Sequence, residues 1–275
     1  MAAPTTERTM QRPEVPRRAR PKPWPWPLNL YQSAVGQKWL MAVTGIALLG
    51  YVLAHMLGNL KVYLGAEDIY HYGEGLRTLG EPYLPRTNAL WLLRIGLIAA
   101  FVLHIVTAYA VQRLSRVASP DASVVSAQKK YAGGQDFVAA NYASRTMRWT
   151  GPIILLFLLF HLADLTWGWA NPDFVRGDPY NNLVRSFERW PVALLYVVAN
   201  VALALHIFHG AWSMFQSLGI NNPRYNRFRR AFASGFALVI LVGNVSFPIA
   251  VLLDIVDEVE PTYLEEAAGL LTSLT

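Results

Sequence analysis

Five long stretches with almost no charged side chains constrain the fold of this chain more than any other feature. Charged residues make up only 15% of the 275 residues, against about 25% in soluble domains. Each stretch reaches the roughly 20 residues that a helix needs to cross a bilayer core, and none alternates with the period of a strand. We therefore predict an all-α integral membrane protein with five spans, at Trp39–Leu60, Asn88–Val111, Trp149–Ala170, Pro191–Leu218 and Ala231–Leu253.

The amino-acid composition also limits the chemistry. The chain contains no cysteine, which excludes thiolate-bound iron–sulfur clusters, disulfides and covalently attached haem. Any metal centre must therefore use histidine, carboxylate or methionine ligands. The net charge of +6 does not indicate a nucleic-acid partner, because the basic residues flank the apolar windows as membrane topology requires.

The positions of Lys and Arg predict the orientation in the membrane. Of the 24 basic residues, 17 lie in the N-terminal segment, the second connection and the fourth connection, which share one side of the membrane. The positive-inside rule places that side, and the N-terminus, in the cytoplasm. We interpret residues 1–30 as a disordered Pro/Arg-rich cytoplasmic arm, residues 31–253 as the spanning domain and residues 254–275 as an acidic outer tail.

Histidines inside the predicted spans are the candidate functional residues. His71 lies in the first outer connection, and we interpret it as a solvated loop residue. Polar side chains are costly in a bilayer core, so intramembrane histidines are functional candidates by default. Alternatively, any single one could hydrogen-bond a neighbouring helix. The five that fall inside spans are His55, His104, His161, His206 and His209.

Depth in the membrane sorts four of these histidines into two pairs. At about 1.5 Å per residue, His55 and His161 lie roughly 24 and 18 Å from the inner face. His104 and His206 both lie roughly 9 Å from it. A haem with two axial imidazoles needs histidines at matching depth on facing helices. The spacing therefore predicts an outer pair, His55 and His161, and an inner pair, His104 and His206, each able to hold one haem.

A short internal repeat supports the outer pair. Thr44-Gly45 and Thr150-Gly151 each place a glycine ten residues before a histidine of that pair. Glycine on a helix lets a planar group or another backbone approach closely. His209 follows His206 by three residues on the same helix face, so only one of the two is expected to be axial. The other is left to a propionate, a quinone or a hydrogen bond.

Two segments carry a family resemblance. Residues 33–60, SAVGQKWLMAVTGIALLGYVLAHMLGNL, and residues 206–226, HIFHGAWSMFQSLGINNPRYN, resemble the first and fourth spans of the cytochrome b membrane anchor of succinate dehydrogenases and fumarate reductases. The five-span, two-haem subtype is the most similar, over most of residues 31–250. In that subtype the first span pairs with the third and the second with the fourth. The fourth-span pattern fits His206, Gly210 and Gly219, which implies His206 rather than His209 as ligand.

The resemblance implies a function that composition and spacing do not. It implies a five-helix bundle whose first four helices enclose two stacked b-haems, in a bacterial plasma membrane. Electrons would pass from an iron–sulfur subunit, itself served by a flavoprotein subunit, through the haems to a quinone, with menaquinone expected. Some menaquinol-oxidising relatives carry an acidic residue where this chain has Ala204, and this departure favours succinate oxidation. Candidate propionate or quinone contacts are His209 and the inner-end residues Ser33, Lys38 and Arg148.

Other interpretations remain open from the sequence. The anchor could serve a quinol:fumarate reductase, or the chain could be a haem-free transporter whose histidines relay protons. It could also be a purely structural anchor with vestigial histidines. Ser33, Lys38 and Arg148 could equally be ordinary interfacial anchors whose side chains reach toward the headgroups. The quinone site's location and the oligomeric state, including a higher oligomer, are not decided by the sequence.

Overall fold

The protein is a bundle of α-helices. The computed structural model describes residues 24–26, 28–118, 136–220 and 222–260, and no β-strand occurs among them. The predicted all-α class is confirmed. The helices are α1 (Ala34–Asn59), α2 (Ala66–Arg77), α3 (Asn88–Ala118), α4 (Asp136–Leu165), α5 (Pro179–Glu188), α6 (Trp190–Ser217) and α7 (Asn226–Leu252).

Five of these helices are long and apolar enough to cross a membrane. They are α1, α3, α4, α6 and α7, which we call spans 1 to 5, and they indicate a multi-pass membrane protein. The five predicted spans are thereby confirmed, with different ends. Span 3 begins at Asp136 and ends at Leu165, whereas the apolar window ran from Trp149 to Ala170. Charged residues before Trp149 keep that part of the helix out of a hydropathy window without preventing helix formation.

The spans pack in a specific order. Span 1 packs against spans 2, 4 and 5, and span 4 packs against spans 3 and 5. Within the described residues, span 1 makes no extended backbone contact with span 3, and span 2 makes none with span 4. The first four spans therefore form a chain of neighbours, 2–1–4–3, in which alternate helices are held apart.

Spans 1, 4 and 5 meet through close and polar contacts. A Cβ added at Gly243 would run into the Met56 side chain, which is almost fully buried, so the absence of a side chain lets span 5 approach span 1. Asn244 donates a 2.9 Å hydrogen bond to Asn200 of span 4. Small residues and interhelical amide bonds of this kind are the usual means of association between membrane helices.

Two short helices cover one end of the bundle, which we call the capped end. Asp178 caps the start of helix α5, because its carboxylate accepts from the Asn181 N–H at 3.1 Å. Pro179 is the first residue of the helix. It buries Val184 and Phe187 against spans 4 and 5. Helix α2 packs against α5. Neither helix was predicted, and His71, expected in a loop, lies exposed on α2 beside Glu67.

The first residues of the acidic tail dock on the capped end. Val256 is buried in the same apolar cluster as α5, and the Asn181 amide side chain bonds both the N–H and the carbonyl of Val259. Glu258 accepts from the Arg185 guanidinium. Burial raises the pKa of Tyr180, and the nearby Asp257 carboxylate raises it further. The rest of the tail, and residues 1–23 of the predicted arm, lie outside the described residues.

Candidate functional site

The structure brings the two histidines of the outer pair together. The imidazole rings of His55 and His161 have centroids 5.9 Å apart and meet edge to face. His55 is on span 1 and His161 on span 3, the two helices whose backbones make no extended contact in the described part of the chain. The rings therefore bridge a gap between helices that is otherwise not closed by backbone packing.

The two histidines of the inner pair are also on helices without extended contact. His104 on span 2 lies near His206 on span 4, and these two helices make no extended contact within the described ranges. Thr44 of span 1 lies 3.1 Å from Nδ1 of His104. Thr150 of span 3 lies 3.2 Å from Nδ1 of His206. Each inner histidine is thus held by the threonine of a neighbouring span.

The bonds of the two threonines fix the tautomer of the inner histidines. The Thr44 hydroxyl donates to the Leu40 carbonyl at 2.8 Å, and the Thr150 hydroxyl donates to the Thr146 carbonyl at 3.0 Å. A carbonyl can only accept and a hydroxyl has one proton to donate, so these bonds make each threonine an acceptor toward its imidazole. Nδ1 then carries the proton in both rings and the lone pair is on Nε2, as in a histidine that binds a metal through Nε2.

His161 of the outer pair follows the same rule with a different partner. The Tyr196 hydroxyl, on span 4, lies 3.3 Å from Nδ1 of His161. It donates its proton to the Asp164 carboxylate at 2.9 Å, so it accepts from the Nδ1–H of the imidazole. The Nε2 lone pair of His161 is again left for a ligand.

His55 differs from the other three. The Asn59 amide group, one turn later on the same helix, lies 3.3 Å from Nε2 of His55. An amide NH₂ only donates, so Nε2 is again the acceptor and Nδ1 carries the proton. The Tyr51 ring stacks on the imidazole with centroids 5.4 Å apart. A metal bound at Nε2 of His55 therefore has to displace the Asn59 amide.

The remaining candidate residues have other positions. His209 is buried against Phe208 and lies near His206, three residues earlier on the same helix. The Ser33 hydroxyl caps span 1 by accepting from the Gly36 N–H at 2.9 Å, which gives it a structural role. Lys38 and Arg148 are exposed, and the structure brings neither into contact with a histidine.

The Thr-Gly repeat has a meaning that sequence reasoning missed. It predicted room beside the outer histidines, but the two threonines contact the inner ones, His104 and His206. A Cβ at Gly45 would lie 3.5 Å from the His104 ring, and one at Gly151 would lie in open space. The repeat therefore marks two equivalent positions on spans 1 and 3, each supporting a histidine of the next span.

Sequence reasoning also missed Tyr196 and Asp164. Asp164 is the only acidic residue inside the predicted spans, and an ionisable residue at that depth is a functional candidate. Tyr196 gave no signal, because one tyrosine in an apolar window looks like any core aromatic residue.

The donor set fits b-type haem. Four imidazoles each present an Nε2 acceptor, in two pairs, and each pair joins helices that are held apart within the described ranges. Bis-histidine ligation of a planar group needs one imidazole on each face. Among the described residues, no group of three or more His, Cys, Asp or Glu side chains is placed to hold a metal ion alone. Haem iron, which takes four of its ligands from the porphyrin, does not require such a group.

Comparison with known proteins identifies a family that part of the chain matches. Residues 119–243 match the family of the succinate dehydrogenase/fumarate reductase transmembrane subunit. The matched range contains His161, His206 and His209, while His55 and His104 precede it. No curated protein and no solved structure matches the chain significantly. The match covers less than half of the chain, and its family consists of transmembrane subunits of an oxidoreductase complex.

Proposed function

We propose that this chain is the membrane anchor of a succinate:quinone oxidoreductase and that it holds two b-type haems. The family match over residues 119–243 supports the kind of complex. The observation that carries the haem proposal is the uniform tautomer of the four paired histidines. A histidine that only joined two helices would be free to use either ring nitrogen, whereas here Nδ1 carries the proton in all four.

The residues of the chain have distinct parts in this proposal. His55 and His161 would hold the outer haem, and His104 and His206 the inner one. Held there, the two haems would carry single electrons between an iron–sulfur partner and a quinone. Thr44 and Thr150 orient the inner imidazoles through Nδ1, which fixes the direction of each Nε2 lone pair. Succinate chemistry itself belongs to a flavoprotein subunit of the same complex.

The basic side of the chain would face the cytoplasm and the iron–sulfur subunit. Lys38 and Arg148 are the stronger candidates there for propionate or quinone contacts, because both are exposed. Ser33 is the weaker one, since its hydroxyl already caps span 1. His209 is kept as a buried hydrogen-bonding group or quinone contact. The membrane would be a bacterial plasma membrane.

The direction of electron flow has two candidates within the same family. The matched family includes both succinate dehydrogenases and fumarate reductases. We favour succinate oxidation with menaquinone as acceptor, because the position two residues before His206 is the buried, apolar Ala204. An acidic side chain there would support a proton route for quinol oxidation, and alanine does not supply one.

Haem content tests the proposal. The purified protein should give a reduced-minus-oxidised spectrum of b-type haem, with two protohaems per chain by pyridine haemochrome quantitation. A well-folded preparation from haem-replete cells that contains no haem would refute it. In that case a haem-free transporter or a structural anchor becomes the better interpretation of the histidines.

A further inference from the structure

A buried carboxylate stands directly behind His161. Asp164 has no exposed surface, and its Oδ2 accepts from the Tyr196 hydroxyl at 2.9 Å and from the Ser186 hydroxyl. Its Oδ1 accepts from the Arg189 guanidinium at 2.6 Å. A carboxylate has about four lone-pair positions. In Asp164 at least three of them accept from donors on α5, on span 4 and at the junction between these two helices.

Arg189 is fixed in place by other bonds. Its guanidinium also donates to the Ala170 carbonyl at 2.7 Å and to the Arg185 carbonyl at 3.3 Å. Because these carbonyls share the cation, Arg189 does not act on Asp164 alone. A buried ion pair is weak grounds for stability, since an apolar replacement is often as good. The arrangement is better explained by what the carboxylate does for its third partner, Tyr196.

Three of the paired histidines donate to hydroxyls, and these hydroxyls differ in character. The inner histidines donate to Thr44 and Thr150, whose own protons go to neutral backbone carbonyls. His161 donates to Tyr196, whose proton goes to the buried carboxylate. A phenol that donates to a carboxylate is a stronger acceptor than the same phenol without that bond, because hydrogen bonds in a chain polarise one another.

We propose that Tyr196, polarised by Asp164, is a positioning residue that orients the His161 ring and lowers the reduction potential of the outer haem. This inference rests on the proposed function, because it needs a haem at His55 and His161. A partner that accepts strongly from Nδ1–H raises the basicity of Nε2. A more basic axial imidazole stabilises ferric over ferrous iron, so the potential falls.

Potentiometric titration of the Tyr196→Phe variant in the purified holo-complex tests the inference. Phenylalanine keeps the ring packing of Tyr196 against Phe157 and Phe187 and removes only the hydroxyl. The midpoint of the outer haem should rise while that of the inner haem stays. A loss of about tenfold in ferric relative to ferrous binding, the scale expected for such a partner, would raise the midpoint by about 59 mV for a one-electron couple.

Two control variants separate this effect from loss of any hydroxyl. Tyr63→Phe removes a phenol at the same end that donates to Ser246 and touches no histidine, so neither midpoint should move. Thr150→Val removes the partner of His206, so it should move only the inner midpoint. The outer haem is identified as the component that the His55→Ala variant loses.

The outcomes distinguish the inference from the proposed function. Two haems per chain with an unchanged outer midpoint in Tyr196→Phe would overturn the inference and leave the proposed function standing. No haem in the wild-type protein would overturn the proposed function itself. If Tyr196→Phe does not fold, the double variant Asp164→Asn/Arg189→Gln removes both charges and keeps the phenol. An outer midpoint that does not rise in that variant would likewise contradict a role for the carboxylate.

Discussion

Each of the four paired histidines carries its proton on Nδ1, and three different kinds of partner produce this result. Threonine hydroxyls accept from His104 and His206, a phenol accepts from His161, and an amide donates to Nε2 of His55. A histidine with a fixed tautomer pays less entropy on binding a ligand, because its ring is already oriented. The three hydroxyl-bonded histidines are therefore prepared for an axial role, and His55 has to release Asn59 first.

Alanine substitution at either outer histidine should remove the same haem. Replacing His55 or His161 deletes one of the two proposed axial imidazoles, whose ring centroids lie 5.9 Å apart. We expect each variant to retain one haem per chain, with the same difference spectrum in both. Pyridine haemochrome quantitation and low-temperature spectra make the measurement. Loss of different centres in the two variants would contradict the pairing.

The threonine contacts give a second prediction at this scale. Thr44→Val or Thr150→Val removes the acceptor for an Nδ1–H, and the inner haem should be retained about 10 to 100 times less strongly. Competition with apomyoglobin for haem measures that retention.

Thr107→Val is the matched control for these threonine variants. Thr107 is one turn after His104 on span 2, and its buried hydroxyl has no hydrogen-bond partner in the described structure. Replacing it should leave haem retention unchanged. Equal haem loss in all three variants would mean that the threonines act through packing alone.

At the scale of the helices, the crossing of spans 1 and 5 depends on one glycine. Gly243→Ala places a methyl group against the Met56 side chain, and overpacking of this kind costs about 1–3 kcal/mol. The apparent melting temperature in detergent, followed by circular dichroism, should fall.

Gly235→Ala, on the same helix, is the control for Gly243→Ala. A Cβ at Gly235 meets nothing within 4 Å, and alanine is the better helix former by about 1 kcal/mol. Its melting temperature should stay or rise. A parallel fall in both variants would show that span 5 does not tolerate alanine for reasons unrelated to the crossing.

The spans could be predicted from sequence and the short helices could not, for a physical reason. A spanning helix is selected by lipid, so hydropathy alone identifies it. Helix α5 is polar on average and is stable because Val184 and Phe187 are buried by span 4, which follows it directly, and by span 5, which is distant in sequence. Its cap, Asp178 followed by Pro179, was the one local signal for it.

In the candidate site, likewise, the histidine pairs could be predicted from the sequence and their hydrogen-bond partners could not. The two pairs were predicted from depth, because depth follows from helix rise and position in a span. Their hydrogen-bond partners, Thr44, Thr150 and Tyr196, depend on how helices rotate against one another. The rotation of each helix about its axis is set by its packing against the other helices, and a single sequence does not show that packing.

At the scale of the whole molecule, the predicted orientation has a direct test because the chain has no cysteine. Tyr83→Cys lies in the connection after α2, where the native side chain is 93% exposed. Arg224→Cys lies in the exposed turn between spans 4 and 5. A membrane-impermeant maleimide should label the first in intact spheroplasts and the second only after permeabilisation. The reverse pattern would invert the topology and exchange the inner and outer pairs.

The packing order also determines when, during synthesis of the chain, the two histidine pairs can form. Spans 1 and 2 form one helical hairpin and spans 3 and 4 another. His55 and His104 are on the first hairpin, and His161 and His206 are on the second. Each pair takes one member from each hairpin, so a nascent chain with only its first hairpin inserted holds half of both sites and neither one complete. If the pairs hold haem as proposed, cofactor capture would follow docking of the hairpins, and a bound cofactor would report that the bundle has been assembled.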